Sequence, residues 1–149
     1  MIESSGRNPW KLLKRVLPQH TDHAGVMWHG AYLSWLEEAR VEALAEVGLS
    51  YKDLSAQGFE MPVVSIQMNY ISALTHGEVV VLESRSLARQ FARWPWKTQF
   101  LRNGEVVAEA KVELVLVKKV AQEYRLIRKV PDQIAKTLLK IQLGPKIAK

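Results

Sequence analysis

Cysteine is absent from the 149 residues. A disulfide scaffold, a thiolate metal site and a cysteine nucleophile are therefore excluded. The same absence fits a reducing cytoplasm, the compartment expected for the chain. No apolar run approaches the roughly 20 residues of a membrane-spanning helix. The polar stretch Met1–Trp10 lacks the apolar centre of a secretory signal. No Gly-x-Ser-x-Gly elbow occurs, which argues against a serine hydrolase triad. His20, Asp22, His23 and His29 are possible metal ligands, but no His-Glu-x-x-His spacing supports a metal site, and no cofactor is expected. Internal repeats and low-complexity segments are also missing. What is present is an ordinary globular balance, 48 % hydrophobic and 24 % charged, in a length that suits one domain.

The net charge of +6 is unevenly placed. From Lys118 to Lys149 nine basic side chains face two acidic ones, whereas residues 1–117 carry twelve basic and thirteen acidic side chains. A nucleic-acid-binding domain would spread its basic excess over a binding face. Here the excess belongs to the tail, so no nucleic-acid partner is expected. The tail reads first as a solvated basic end and second as a surface for an anionic partner.

Hydrophobic periodicity orders the chain. Lys11–Leu17 reads as a short strand ended by Pro18, and residues 19–29 as irregular. Tyr32, Trp35, Leu36, Ala39, Ala43 and Val47 recur at helical spacing, predicting a helix over 30–47 stopped at Gly48. Tyr51–Gln57 reads as one further helical segment. Beyond Gly58 the period becomes two. Strands are predicted at Val64–Tyr70, Val79–Ser86, Trp94–Arg102 and Val106–Leu116, with a short last one at Tyr124–Arg128. Pro95 marks an edge, a bulge or a strand start. Asn103-Gly104 is a hairpin signal. Pro131 opens a terminal helix with Ile134, Leu138 and Ile141 on one face. A sheet with one apolar face needs a cover, and the 30–47 helix can supply it. The expected class is α+β: an antiparallel sheet wrapped around one long central helix in residues 1–130, then a basic helix and tail in 131–149.

Titratable side chains are densest just before the central helix, in His20-Thr21-Asp22-His23-Ala24-Gly25-Val26-Met27-Trp28-His29-Gly30. A helix N-terminus offers free N–H groups and a positive dipole end, where a developing oxyanion can be held. A carboxylate folded back over that end supplies a nucleophile or a base. Asp22 at seven residues from His29 has the required reach. The plainer reading is that Asp22 only caps a turn. Met27, Trp28 and Tyr32 suit the wall of an acyl pocket or equally the ordinary core.

The run His20–Leu33 resembles the signature of the 4-hydroxybenzoyl-CoA thioesterase-like branch of the hot-dog fold. The signature runs Asp-x-x-Gly-Val, then, after three residues, x-x-Tyr before the central helix. Glu38-Ala39-Arg40, Asn69-Tyr70 and the Ala-x-Ala-x-Val pattern after Asn103-Gly104 add to the likeness, which spans about residues 11–130. Two positions depart: Ala31 stands where many members have Asn, and Ala73 where many have Pro. The resemblance implies an acyl-CoA thioesterase with Asp22 as the catalytic carboxylate and the backbone N–H of His29 facing the thioester carbonyl. Gly30, beside it, falls in the substrate-binding set. The resemblance further implies that Arg89 and Arg93, with Lys97 nearby, meet CoA phosphates, and that subunits assemble as a dimer of dimers with sites at their interfaces. Trp94, Trp96 and Phe91, beside these arginines, are expected at such an interface. A carrier-protein thioester is an alternative substrate, and a non-catalytic acyl-CoA-binding module or a hydratase an alternative function. Asp22 disfavours the binding module, since binding alone needs no carboxylate beside the thioester.

Overall fold

The computed structural model describes residues 8–146. Strand β1 covers Trp10–Arg15 and is followed by a single tight turn of helix at Pro18–His20. The central helix α1 runs His29–Glu46 and a short α2 runs Tyr51–Ala56, its start capped by the Ser50 hydroxyl accepting from the Asp53 N–H at 3.0 Å. Then come β2 (Phe59–Glu60), β3 (Val63–Tyr70), β4 (Val79–Ser86), β5 (Arg93–Arg102), β6 (Glu105–Val115), β7 (Val117–Val120), β8 (Glu123–Leu126) and the terminal helix α3 (Asp132–Leu143). The main sheet is antiparallel with order β1-β4-β5-β6-β3, and a smaller sheet has order β2-β7-β8.

Alternation in β4, β5 and β6 turns Val80, Leu82, Phe100, Ala108, Ala110, Val112 and Leu114 into one core. Into the same core α1 lays Tyr32, Trp35, Leu36, Ala39 and Ala43, with Tyr32 edge-on to Phe100 at 5.3 Å. Each large apolar side chain buried this way contributes about 1.5–3 kcal/mol. The sheet thus wraps the helix, in the hot-dog arrangement. The predicted stripe is buried from Tyr32 to Ala43, with Val47 half-buried just past the helix end, and the buried face is wider than the stripe, taking in Ala31, Arg40 and Leu44.

Asn103 and Gly104 both have positive φ, and Arg102 pairs with Glu105 across the turn. Pro95 sits near the start of β5, a central strand, so of the three readings of that proline the strand start holds. Deep between β4 and β5 the Ser84 and Thr98 hydroxyls satisfy one another at 2.8 Å. Ile134, Leu138 and Ile141 of α3 are buried in the common core, and the Trp10 indole N–H donates to the Ile141 carbonyl at 2.8 Å. The last third of the chain differs from expectation: β7 was not foreseen, and it forms the smaller sheet with β2 and β8.

Strand β3 is an open edge of the main sheet. Its alternation is present, but its apolar side chains are not covered within the chain. Val64 is 46 % exposed, Ile66 43 % and Tyr70 52 %. Trp94 and Trp96, expected at an interface, are instead core residues of their own chain, because they point inward from the central strand β5. Of that trio Phe91 alone is exposed, at 99 %.

Candidate functional site

The segment between β1 and α1 folds as a finger. At its base the Leu17 N–H donates to His20 Nδ1 at 2.9 Å, and the His20 ring meets Trp35 edge-on at 5.3 Å. The finger is drawn together by paired backbone: Thr21 bridges Met27, and the Trp28 N–H donates to the His20 carbonyl at 3.0 Å. At the tip the Asp22 N–H donates to the Val26 carbonyl at 2.9 Å, and the Gly25 N–H to the Asp22 carbonyl at 3.0 Å. Gly25 takes φ +84° there, a conformation L side chains resist. Asp22 Oδ1 accepts from the Ala24 N–H at 2.8 Å and the Val26 N–H at 3.3 Å. The carboxylate therefore stiffens its own turn, as the plainer reading of the sequence had it. That role uses one oxygen. Oδ2 has no hydrogen bond among the described residues, and Asp22 is exposed.

A second contact fixes where the finger lies. Val26 bridges Thr75, and the Met27 N–H donates to the Leu74 carbonyl at 2.7 Å. Thr75 is clamped in turn by Glu78, whose Oε1 accepts from the Thr75 N–H at 2.7 Å and from its hydroxyl at 2.9 Å. Arg102 donates to both Glu78 oxygens at 3.1 Å and to the Ala73 carbonyl at 2.9 Å. The Thr75 hydrogen bond, more than Arg102, holds the Glu78 carboxyl below its ordinary pKa. Sequence reasoning missed Thr75, Glu78 and Arg102. Their partners lie across the fold, so no local spacing announces them.

The finger leads straight into α1. Trp28, the residue before the helix, is extended and places no side-chain cap on it. The first N–H groups of α1 therefore start without an intrahelical partner, at the positive end of the helix dipole. The Trp28 indole lies across Gly30, where an added Cβ would collide with the ring, and meets the His29 ring edge-on at 5.3 Å. Asp22, Trp28 and His29 are all exposed. Met27 and Tyr32 are buried beneath them. Tyr32 touches Tyr70 edge-on at 5.0 Å, and burial is the main reason its hydroxyl is held above the ordinary tyrosine pKa.

Arg89 and Arg93 lie elsewhere. Arg89 donates to the Arg128 carbonyl at 2.8 Å and sits over the Trp94 ring at 5.4 Å. Arg93 pairs with Glu113 at 3.2 Å. In the sheet Tyr70 is opposite Ala108, whereas Arg93 is opposite Val115. Seven residues of strand separate those levels, about 23 Å. Register thus sets Arg93 at the far end of the sheet from Tyr70, against which Tyr32 at the start of α1 packs. Among the described residues no three His, Asp or Glu side chains converge as a metal-holding group, and no helix is long and apolar enough to cross a membrane.

An exposed carboxylate on a braced turn leads into an uncapped helix start, on a sheet-wrapped helix of the hot-dog kind. The family comparison gives the rest: residues 16–138 match the thioesterase-like superfamily, and the chain belongs to it. It is 36 % identical over 143 residues to the Synechocystis sp. protein sll0410, provisionally named an esterase, covering 95 % of this chain and 85 % of that one. It is 26 % identical over 128 residues to a 1,4-dihydroxy-2-naphthoyl-CoA hydrolase of Prochlorococcus marinus, covering 78 % and 83 %. The crystal structure of a DHNA-CoA thioesterase from Staphylococcus aureus shares the fold with a TM-score of 0.78 at 24 % identity, covering 89 % of each chain.

Proposed function

We propose that the chain is an acyl-CoA thioesterase that hydrolyses a thioester to a free acid and CoA. The observation that carries this reading is the divided use of Asp22: Oδ1 is spent on the turn and Oδ2 is left free. A carboxylate fixed by one oxygen presents the other without reorganisation. Asp22 either attacks the thioester carbonyl carbon or takes a proton from the water that attacks it. The carbonyl electrons move onto oxygen, where the N–H groups of His29 and Gly30 stabilise them. Collapse expels CoA as its thiolate, a good leaving group because a thiol has a pKa near 8.5. With direct attack, water then opens the acyl anhydride. Trp28 shields the reacting carbonyl, and Met27 and Tyr32 support that wall from below. The likeness to a naphthoyl-CoA hydrolase makes aromatic acyl-CoAs the first substrates to test.

The open β3 edge supports a site completed by a second copy. Antiparallel pairing of β3 with β3 brings the Val63 end of one chain beside the Tyr70 end of the other. Val63 is level with Leu114 and so with Trp94, the neighbour of Arg93. Pairing then carries Arg93, with Arg89 nearby, toward the other chain's finger, where guanidinium groups can meet CoA phosphates.

Asp22→Asn tests the reading. The amide oxygen can still accept from Ala24 and Val26, so the turn survives, but the side chain can neither attack nor take a proton. We expect kcat to fall by on the order of 10² to 10⁴ with an unchanged melting temperature. Retention of more than half the activity on the best substrate would refute the role of Asp22. Undiminished acyl-CoA binding by a wild type that turns nothing over would favour the non-catalytic module.

A further inference from the structure

The connection between β4 and β5 ends in a two-residue turn, Phe91-Ala92. Gln90 and Arg93 close it, each donating its N–H to the other's carbonyl at 2.9 Å. Phe91 takes φ +55° there, a conformation that glycine adopts at little cost and a bulky side chain resists. The tight turn between β5 and β6 seats Asn103 and Gly104 instead. Phe91 is also 99 % exposed, so its ring neither favours the turn nor packs on the core. A residue that breaks a local rule without a folding gain signals a functional site. Cations gather beside this turn. Arg89 is anchored over the Trp94 ring and donates to the Arg128 carbonyl at 2.8 Å, which ties the segment before α3 to the same corner. Arg128 and Lys129 of that segment are exposed and have no ion pair among the described residues. They belong to the basic excess of residues 118–149, which the site around Asp22 does not use.

We infer that Phe91 stacks on the adenine ring of CoA while the thioester end of the same molecule lies at the Asp22 of a second copy, and that Arg128 and Lys129 meet phosphates of that nucleotide. Magnitudes select this occupant. A stable protein contact buries about 800 Å² on each partner. One phenyl ring offers about 200 Å², and Gln90 and Ala92 beside it add no second large apolar side chain. One ring does match one base, and stacking of a base on an aromatic side chain is strong enough to register in KM. The inference rests on the acyl-CoA reading and on the β3 pairing that carries Arg93, two residues from Phe91, toward the other chain's finger. Three strand spacings of about 4.8 Å separate β5 from the β3 of that chain, a span that the flexible pantetheine arm of CoA crosses.

The test compares steady-state kinetics on an acyl-CoA and on the same acyl group carried by pantetheine, which lacks the nucleotide. Phe91→Gly removes the ring and suits the positive φ, so its melting temperature should be no lower than that of wild type. Its KM for the acyl-CoA should rise about tenfold, while its KM for the acyl-pantetheine stays at the wild-type value. Phe91→Trp, which offers a larger face, should keep the preference for the acyl-CoA. Adenosine bisphosphate, the free nucleotide end of CoA, should bind wild type in a calorimetric titration and bind Phe91→Gly roughly tenfold more weakly. An unchanged KM for the acyl-CoA in Phe91→Gly would overturn the inference. So would a KM that rises equally for both substrates, which together with a smaller particle by light scattering would make Phe91 an interface residue. A wild type that hydrolyses neither thioester yet binds adenosine bisphosphate through Phe91 would refute the thioesterase reading and keep the nucleotide site.

Discussion

Trp28 and Gly30 constrain each other. The indole lies across the helix start only because residue 30 has no side chain. Gly30→Ala should displace the ring and lower kcat/KM by roughly tenfold, although alanine is the better helix former. Trp28→Ala should do similar damage by removing the wall. The pair should be markedly less than additive, because the added methyl has nothing to strike once the ring is gone. Steady-state kinetics on the two single variants and the double variant check this, and additive losses would mean that the two residues act separately. The candidate run from Asp22 to Gly30 could be read from the sequence because it is local. The brace behind it could not, since Glu78 is fifty-six positions from Asp22 and meets it only through Thr75 and Val26. Arg89 and Arg93 were legible as cations, while their distance from Asp22 is a property of strand register that no short window contains.

The finger and the 73–78 segment form the element that positions the carboxylate. Glu78 is held ionised by its hydrogen bonds to Thr75, with Arg102 in support, so its folded-state pKa is depressed. A depressed carboxylate pKa contributes stability that is present above the unfolded value, near 4.3, and is lost as pH falls through the folded one. Glu78→Gln should therefore lower the melting temperature at pH 7 and narrow the gap to wild type at pH 3. Thermal melts across that range would show it, and a constant gap would mean that the charge of Glu78 contributes nothing. Among the larger elements, α1 and strands β3 to β6 were readable because each alternates or repeats on its own. Strand β7 was not: Lys118, Lys119 and Val120 are exposed together, so no period of two marks the strand. Arg40 was hidden by its charge within a helix face that buries it.

At the scale of the whole molecule, the basic tail and the open edge have different standing. The tail's terminal helix is anchored in the common core through Ile134, Leu138, Ile141 and the Trp10 indole. The β3 edge ends the sheet with apolar side chains uncovered and a row of backbone groups unpaired. Ile66→Asp should leave the chain folded, since Ile66 is 43 % exposed, but prevent β3 pairing. The expected outcome is a smaller particle by light scattering and a rise in KM as the second chain's arginines are lost. Unchanged mass and kinetics would place the interface elsewhere.

That edge also ties catalysis to the amount of enzyme in the tube. If two chains build each site, turnover per chain obeys a binding isotherm in protein concentration. It holds steady above the dissociation constant of the β3 contact and declines below it, as mass action requires. Serial dilution into assay buffer should show rate falling as the square of enzyme concentration at the dilute end. Strict first-order dependence down to the concentration where light scattering shows only single chains would mean that one chain suffices.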